Sequence, residues 1–263
     1  MKKINSSSEL PTISFITISK YNSKELVDTI NSLLDQINEE NIEYIIVISE
    51  RLSHEIKNMI FKKRESLNLK LIECRDKGLY DAMNLGITSS TGKYLYFLNA
   101  GDLLIDKKLN SLCSYINENE PSNCLAFSTV QSIGKKKWIR NPINNIKFPF
   151  LQRKMLPPHQ GFLSPNTKER IFFNTQLKLT ADSSWMRESI KKFGVIYFNE
   201  VICDFELNGI SSVPSIKLIR LRLFEKNYHL VLSEMVKLFL FILLGSDNYY
   251  KITFYLKGMK NYI

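Results

Sequence analysis

The chain has 263 residues, is 44% hydrophobic and 24% charged, and carries a formal net charge of +10. That composition excludes a wholly disordered chain, and the length suits one large domain or a domain with an appendage. The longest apolar run, Leu238–Leu244, is too short to span a bilayer, and the first residues are lysines and a polar run rather than a secretory signal.

In chain order, 1–10 reads as a flexible polar start. Ile13–Ser19, β-branched and bounded by Pro11 and Tyr21-Asn22, predicts a buried strand. Leu26, Ile30, Leu33, Leu34 and Ile37 predict a helix, with Asn22 and Glu25 as its capping box. Tyr44–Ser49 reads as a second strand, Leu52–Leu67 as a charged helix and Leu69–Cys74 as a third strand. Leu79–Ser90 follows as a helix that Gly92 ends, then Tyr94–Leu98 as a fourth strand. Strands alternating with helices imply an α/β fold, a mostly parallel central sheet with helices on both faces. Ligands gather beyond the carboxyl ends of such strands. Downstream, Cys124–Val130 and Gly194–Cys203 read as strands, Trp138–Pro158 as a long loop and Ser183–Lys192 as a helix. Past Pro214 the pattern turns to long, basic, apolar helices. The organisation is therefore a main domain over 11–214 and a C-terminal helical extension over 215–263.

The charge is clustered. Residues 131–160 hold seven Lys/Arg and no acid, and from Lys217 onward eight Lys/Arg face three acids. Such clusters suit an anionic partner or a solvated surface. The cysteines Cys74, Cys113, Cys124 and Cys203 have neither metal-ligand nor redox spacing, which fits reduced thiols in a cytoplasmic chain.

Two polar runs follow strands. Asn99-Ala100-Gly101-Asp102 puts an acid at a strand end, where Mg²⁺ or Mn²⁺ takes carboxylates together with substrate phosphates. The same residue types also make an ordinary turn. Asp76-Lys77-Gly78 precedes a helix, whose free N–H groups attract phosphate while Lys77 adds a point charge; a turn with a helix cap is the alternative.

The run Asp76-Lys77-Gly78-Leu79-Tyr80-Asp81-Ala82-Met83-Asn84-Leu85-Gly86-Ile87, followed by Thr91-Gly92-Lys93 and Tyr94 through Asp102, closely resembles the family 2 bacterial glycosyltransferases of the GT-A fold, among them colanic-acid and O-antigen enzymes. Ile16-Thr17-Ile18-Ser19, Pro158-His159-Gln160-Gly161-Phe162, Leu179-Thr180-Ala181-Asp182 and Phe205 through Ser212 extend the likeness over about 12–213.

The resemblance implies an inverting transferase that uses a nucleoside-diphosphate sugar, UDP-linked hexose or N-acetylhexosamine being favoured. One divalent cation, Mn²⁺ or Mg²⁺, would be held by Asp102. The donor would meet Thr17, Ser49, Glu50, Asp76, Lys77, Asn84, Asn99, Ala100 and Gly101, with His159 and Gln160 on the acceptor side. Asp182 matches the general base, which must take a proton from a weakly nucleophilic hydroxyl. It is equally suited to cap a helix beginning at Ser183. The sequence departs from the family at Asn99 and Gly101, where many members have Asp, and at Ser49-Glu50-Arg51-Leu52-Ser53, where many have an Asp-Gly-Gly-like run.

The implied acceptor is a saccharide, carried on a polyprenyl diphosphate in O-antigen, capsule or exopolysaccharide assembly, with the loop from Lys135 to Lys154 meeting it. Val231–Leu244 suits a helix lying in the cytoplasmic interface of the inner membrane, or one buried against the main domain or a second subunit. A non-catalytic nucleotide-sugar-binding protein is the alternative function. No nucleic-acid recognition motif is present.

Overall fold

The structure, a computed structural model, describes residues 11–36, 42–63, 68–74, 78–105, 107–143, 156–207, 213–226, 228–257 and 259–261. Asp76 and Lys77, the 144–155 part of the basic loop, the segment 208–212 and the first ten residues lie outside them.

Two compact units are distinguished. The first is drawn from Met1–Ala100, Asp106–Ser122 and Leu163–Arg170. Its strands are β1 (Ile13–Ser19), β2 (Ile42–Ile48), β3 (Asn68–Glu73) and β4 (Tyr94–Phe97), all mutually parallel in the order β4-β1-β2-β3. β1, β2 and β4 are buried along their whole length, which explains their unbroken apolar character. Helices α1 (Lys24–Leu34), α2 (His54–Lys63) and α3 (Leu79–Ser89) fill the crossovers, and α3 packs on β1 and β2. Leu26, Ile30, Leu33 and Leu34 of α1 are buried, as their spacing predicts. The cap of α1 is Ser23, which accepts from the Leu26 N–H, and not Asn22. Asn22 instead accepts from the Ser53 N–H and donates to Arg51 O, both at 2.9 Å, tying the loops after β1 and β2. The α3 helix ends at Ser89 with Ser90 extended, so Gly92 is not its stop; the Gly92 N–H donates to Ser14 Oγ at 2.8 Å.

The second unit is drawn from Gly101–Ile105, Asn123–Phe162 and Ile171–Ile263. It is built on β6 (Cys124–Ile133) and β9 (Val195–Glu206), paired in parallel, and three antiparallel partners absent from the sequence reading. These are the short strand β5 (Asp102–Leu104) beside β9, β7 (Lys136–Arg140) beside β6, and the two-residue β10 (Lys260–Asn261) beside β7. The residue Trp138, expected in a loop, therefore lies on a strand. Another strand, β8 (Phe162–Pro165), runs antiparallel to β4. In the first unit the strands β1–β4 are parallel and β8 is antiparallel; in the second, β6 and β9 are the parallel pair.

Helix α4 (Lys108–Asn119) belongs to the first unit; α5 (Ala181–Phe193), α6 (Ile216–Phe224) and α7 (Tyr228–Leu256) belong to the second. The α7 helix breaks at Gly245, whose φ of 72° leaves the helical region. Beyond the break, Tyr249, Tyr250 and Phe254 pack with Trp138 and Met259 in a small core. Trp138 meets Phe254 edge-on with ring centroids 4.6 Å apart, so this indole serves packing. No helix among the described residues is long and apolar enough to cross a membrane.

Candidate functional site

Within the first unit, the carboxyl ends of β1, β2 and β4 converge. The Ser49 N–H donates to Ser19 O at 3.2 Å and the Ala100 N–H to Ile18 O at 3.2 Å. The Thr17 hydroxyl is fully buried, donates to Leu98 O at 2.7 Å and lies 3.0 Å from the Tyr44 hydroxyl. It locks β1 to the exit of β4 from inside the layer, so Thr17, expected against the donor, is a brace with no surface to offer it. Thr29 of α1 donates to Asn99 O at 3.3 Å, fixing the chain where it leaves β4. Thr17, Ser49, Glu50, Asn99 and Ala100 are thus gathered at one end of the parallel strands. Glu50 is exposed, and Asn84 is half-buried on α3.

The second unit begins with Gly101 at φ 98°, a backbone conformation that any side chain would strain. The glycine that departs from the acidic motif is therefore the residue this turn requires. Asp102 opens β5 opposite Phe205 of β9 and is 7% exposed. On the neighbouring pair of strands, Gly161 presses so closely on β6 that an added Cβ would stand 2.5 Å from Phe127 O and 2.9 Å from Thr129 Cγ2. Only a glycine lets the 3-10 turn His159–Gly161 sit against the sheet.

That close approach buries His159. Its ring lies edge-on to Phe173 and Trp185, with centroids 6.2 and 6.0 Å away. Burial pushes the His159 imidazole below its ordinary pKa, and the nearby Asp182 carboxylate partly opposes the shift. His159 is thus a neutral imidazole beside an acid. Gln160, next in the turn, is half-buried.

Asp182 is not the cap of α5. The helix starts at Ala181 after Thr180, whose side chain makes no capping bond, and Asp182 falls in the first turn. There it accepts from the Ser183 N–H at 2.7 Å and gains from the positive end of the helix. Trp185, three residues on, is buried, stacks on Phe173 at 4.8 Å and donates its indole N–H to Ile171 O at 3.0 Å. The segment leading into α5 is held from α6: the Glu225 carboxylate accepts from the Lys178 N–H at 2.5 Å, the Leu179 N–H at 2.6 Å and the Thr180 hydroxyl at 3.1 Å. Nothing in the sequence spacing signals this contact, which spans more than forty residues. The arrangement offers a half-exposed carboxylate, oriented by a helix start and set beside a buried imidazole. It can accept a proton.

The basic stretch is partly consumed inside the fold. Lys136 pairs with Asp247 at 2.6 Å and Lys137 with Asp204 at 2.5 Å. Arg140 donates to Leu156 O at 3.0 Å, and burial lowers its pKa to about 10.

For a divalent cation the donor set is thin. Among the described residues no group of three or more His, Cys, Asp or Glu comes together. Asp102 offers one buried carboxylate, which fits Mg²⁺ or Mn²⁺ only where substrate phosphates complete the shell, the usual habit of these ions.

Comparison with known proteins adds the following. Residues 14–172 match the family described as glycosyl transferase family 2. An uncharacterised glycosyltransferase of Mycobacterium tuberculosis is 25% identical over 213 residues, 77% of this chain and 78% of that protein. A PGL/p-HBAD biosynthesis glycosyltransferase of Mycobacterium bovis is 36% identical over 64 residues, 24% of this chain and 25% of its own length. An uncharacterised glycosyltransferase of Rickettsia bellii is 32% identical over 93 residues, and this match spans 35% of the chain but 13% of that protein. Among solved structures, S. aureus TarS in complex with UDP-GlcNAc superposes with a TM-score of 0.59 at 17% identity, over 81% of this chain and 65% of that one. A mannosyltransferase from Pyrobaculum calidifontis in complex with GDP-Man and Mn²⁺ gives 0.51 at 14% identity, over 83% of this chain and 61% of that one.

Proposed function

The chain is a glycosyltransferase of family 2 with the GT-A fold, and from that premise we propose that it transfers a hexose or N-acetylhexosamine from a UDP-sugar to a saccharide hydroxyl with inversion. The acceptor is a lipid-linked saccharide of surface-polysaccharide assembly, met at the cytoplasmic face of the membrane.

One observation carries the reading: Asp182 stands half-exposed at the start of α5 beside the buried His159. In this reading the Asp182 carboxylate takes the acceptor's proton as its oxygen attacks the anomeric carbon, and a single displacement inverts that centre. His159, held neutral by burial, puts no cation beside Asp182 and orients the acceptor together with Gln160. The nucleoside and diphosphate lie against Ser49, Glu50, Asn84 and the Asn99-Ala100-Gly101 turn, with Asp76 and Lys77 in the same role. A UDP donor is supported by the likeness to TarS in complex with UDP and UDP-GlcNAc. The divalent ion would be held by Asp102 and would neutralise charge on the departing diphosphate.

The test is UDP release from a panel of UDP-hexoses and UDP-N-acetylhexosamines, with UDP and Mn²⁺ binding measured by calorimetry. Turnover of at least one donor is expected, and Asp102→Asn should weaken UDP binding in Mn²⁺ by about tenfold or more. Because one carboxylate cannot hold the ion alone, Mn²⁺ should bind appreciably only with UDP present. A panel with neither turnover nor UDP binding would sink the proposal.

A further inference from the structure

In a protein surrounded by water, an amphipathic helix turns its apolar face to the core and its charges to solvent. The first part of α7, before the break at Gly245, does the reverse. Its outward face carries Leu232 at 69% exposure, Phe239 at 64%, Ile242 at 73% and Leu243 at 66%, with Tyr228, Met235 and Val236 also exposed. These positions recur at helical spacing and form one continuous stripe. The acid points inward: Glu234 is 4% exposed, accepts from the half-exposed Lys237 at 2.9 Å and lies 4.0 Å from Arg222 of α6. Helix α6 adds Ile216, Leu223 and Phe224 to the exposed apolar surface.

We infer that α6 and the first part of α7 dock on an anionic lipid bilayer. The exposed stripe of α7 from Tyr228 to Leu244 contains no charged residue, so its natural medium is hydrocarbon rather than water. Exposed cations are carried by the same C-terminal elements. Lys217, Arg220, Lys226 and Lys251 are all exposed, whereas the one exposed acid among the described residues of 213–257, Asp247, is paired with Lys136. An apolar face accompanied by unmatched cations complements acyl chains beneath phosphate headgroups. The same cations disfavour a second copy of the chain, because a two-fold contact on this face sets like charges against each other.

The surface is independent of the transferase chemistry, and its test needs no substrate. The full chain is sedimented with vesicles of equal parts phosphatidylcholine and phosphatidylglycerol, and with vesicles of phosphatidylcholine alone. Binding to the mixed vesicles is expected to be at least about tenfold tighter, and to weaken with salt. Phe239→Glu with Ile242→Glu, at positions where folding buries little, should lower that binding by about tenfold or more with an unchanged melting temperature. If that pair perturbs folding, Arg220→Glu with Lys226→Glu should remove the preference for phosphatidylglycerol. The inference is overturned if the full chain stays in the supernatant, or if both variant pairs bind as the wild type does. It is also overturned if light scattering shows a dimer that the Phe239/Ile242 pair dissolves while the wild type ignores vesicles.

Discussion

Glu43 and Asp182, one in each compact unit, are carboxylates in opposite surroundings. The Glu43 side chain is wholly buried in β2. Its oxygens accept from Ser14 Oγ, from the Thr91 N–H and hydroxyl at 2.8 Å each, and from Lys70 Nζ at 2.5 Å. Four donors fill the roughly four lone-pair positions that a carboxylate has, so Glu43 has nothing left to offer a substrate. It clamps β1, β2, β3 and the turn before β4. Asp182 is half-exposed and shares its surroundings with a buried histidine. Burial alone therefore does not mark a functional acid; unused accepting capacity in reach of solvent does.

The largest expected effect tests the second half of this comparison. Asp182→Asn keeps the shape and the contact with Ser183 but removes the basic oxygen. It should lower kcat by about 10²–10⁴, equivalent to about 3–5 kcal/mol of barrier, with donor affinity and melting temperature near wild type. Turnover within a factor of two of wild type would move the base elsewhere.

Glu43→Ala should do the reverse. It strands the Ser14 donor inside the sheet and leaves the Thr91 donors and Lys70 to solvent. The expected loss is about 2–4 kcal/mol in urea unfolding, less than for a fully buried pair because Lys70 reaches water. Turnover per folded molecule should hold. The pH dependence has a definite sign. Burial pushes the Glu43 carboxyl up, but the bonds from Lys70, Ser14 and Thr91 outweigh it, and the group lies below its ordinary value. Its stabilisation is therefore present above the unfolded pKa of about 4.3 and is lost as pH falls through the folded value. Glu43→Gln should flatten the acid limb of the stability profile; an unchanged limb would mean the clamp contributes little.

These contrasts also explain what the sequence reveals. The parallel strands and α1 are legible because a fully buried strand is apolar without interruption and a core helix repeats at Leu26, Ile30 and Leu33. The short strand Asp102–Leu104 is hidden by the turn-forming residues before it, and Lys136–Arg140 by its cations. Asp182 is legible through the motif Leu179-Thr180-Ala181-Asp182, though its place in the first turn of α5 rather than at the cap is set by where the chain bends. The α7 stripe shows the limit of periodicity, which reveals that Leu232, Phe239 and Ile242 share a face but not which way that face turns. Glu225 is invisible, because a carboxylate that bonds backbone N–H groups forty residues earlier leaves no pattern.

Glu225 gives the smallest effect and the finest version of the comparison, since it is a carboxylate whose acceptors are spent holding the segment that leads to the proposed base. The Lys178 and Leu179 N–H groups share one of its oxygens and the Thr180 hydroxyl uses the other. Thr180 does not cap α5 with its own side chain, so the entry to that helix is held from outside. Glu225→Gln keeps the volume but weakens these charge-assisted bonds. Turnover should fall about tenfold through kcat while the donor KM stays constant, because the change reaches the reaction through the aim of Asp182. The discriminating measurement is the double variant. If Glu225 acts only by positioning Asp182, adding Glu225→Gln to Asp182→Asn should cost little further activity, whereas independent roles would multiply. A fall in melting temperature with kcat intact would make Glu225 a brace for α6 alone.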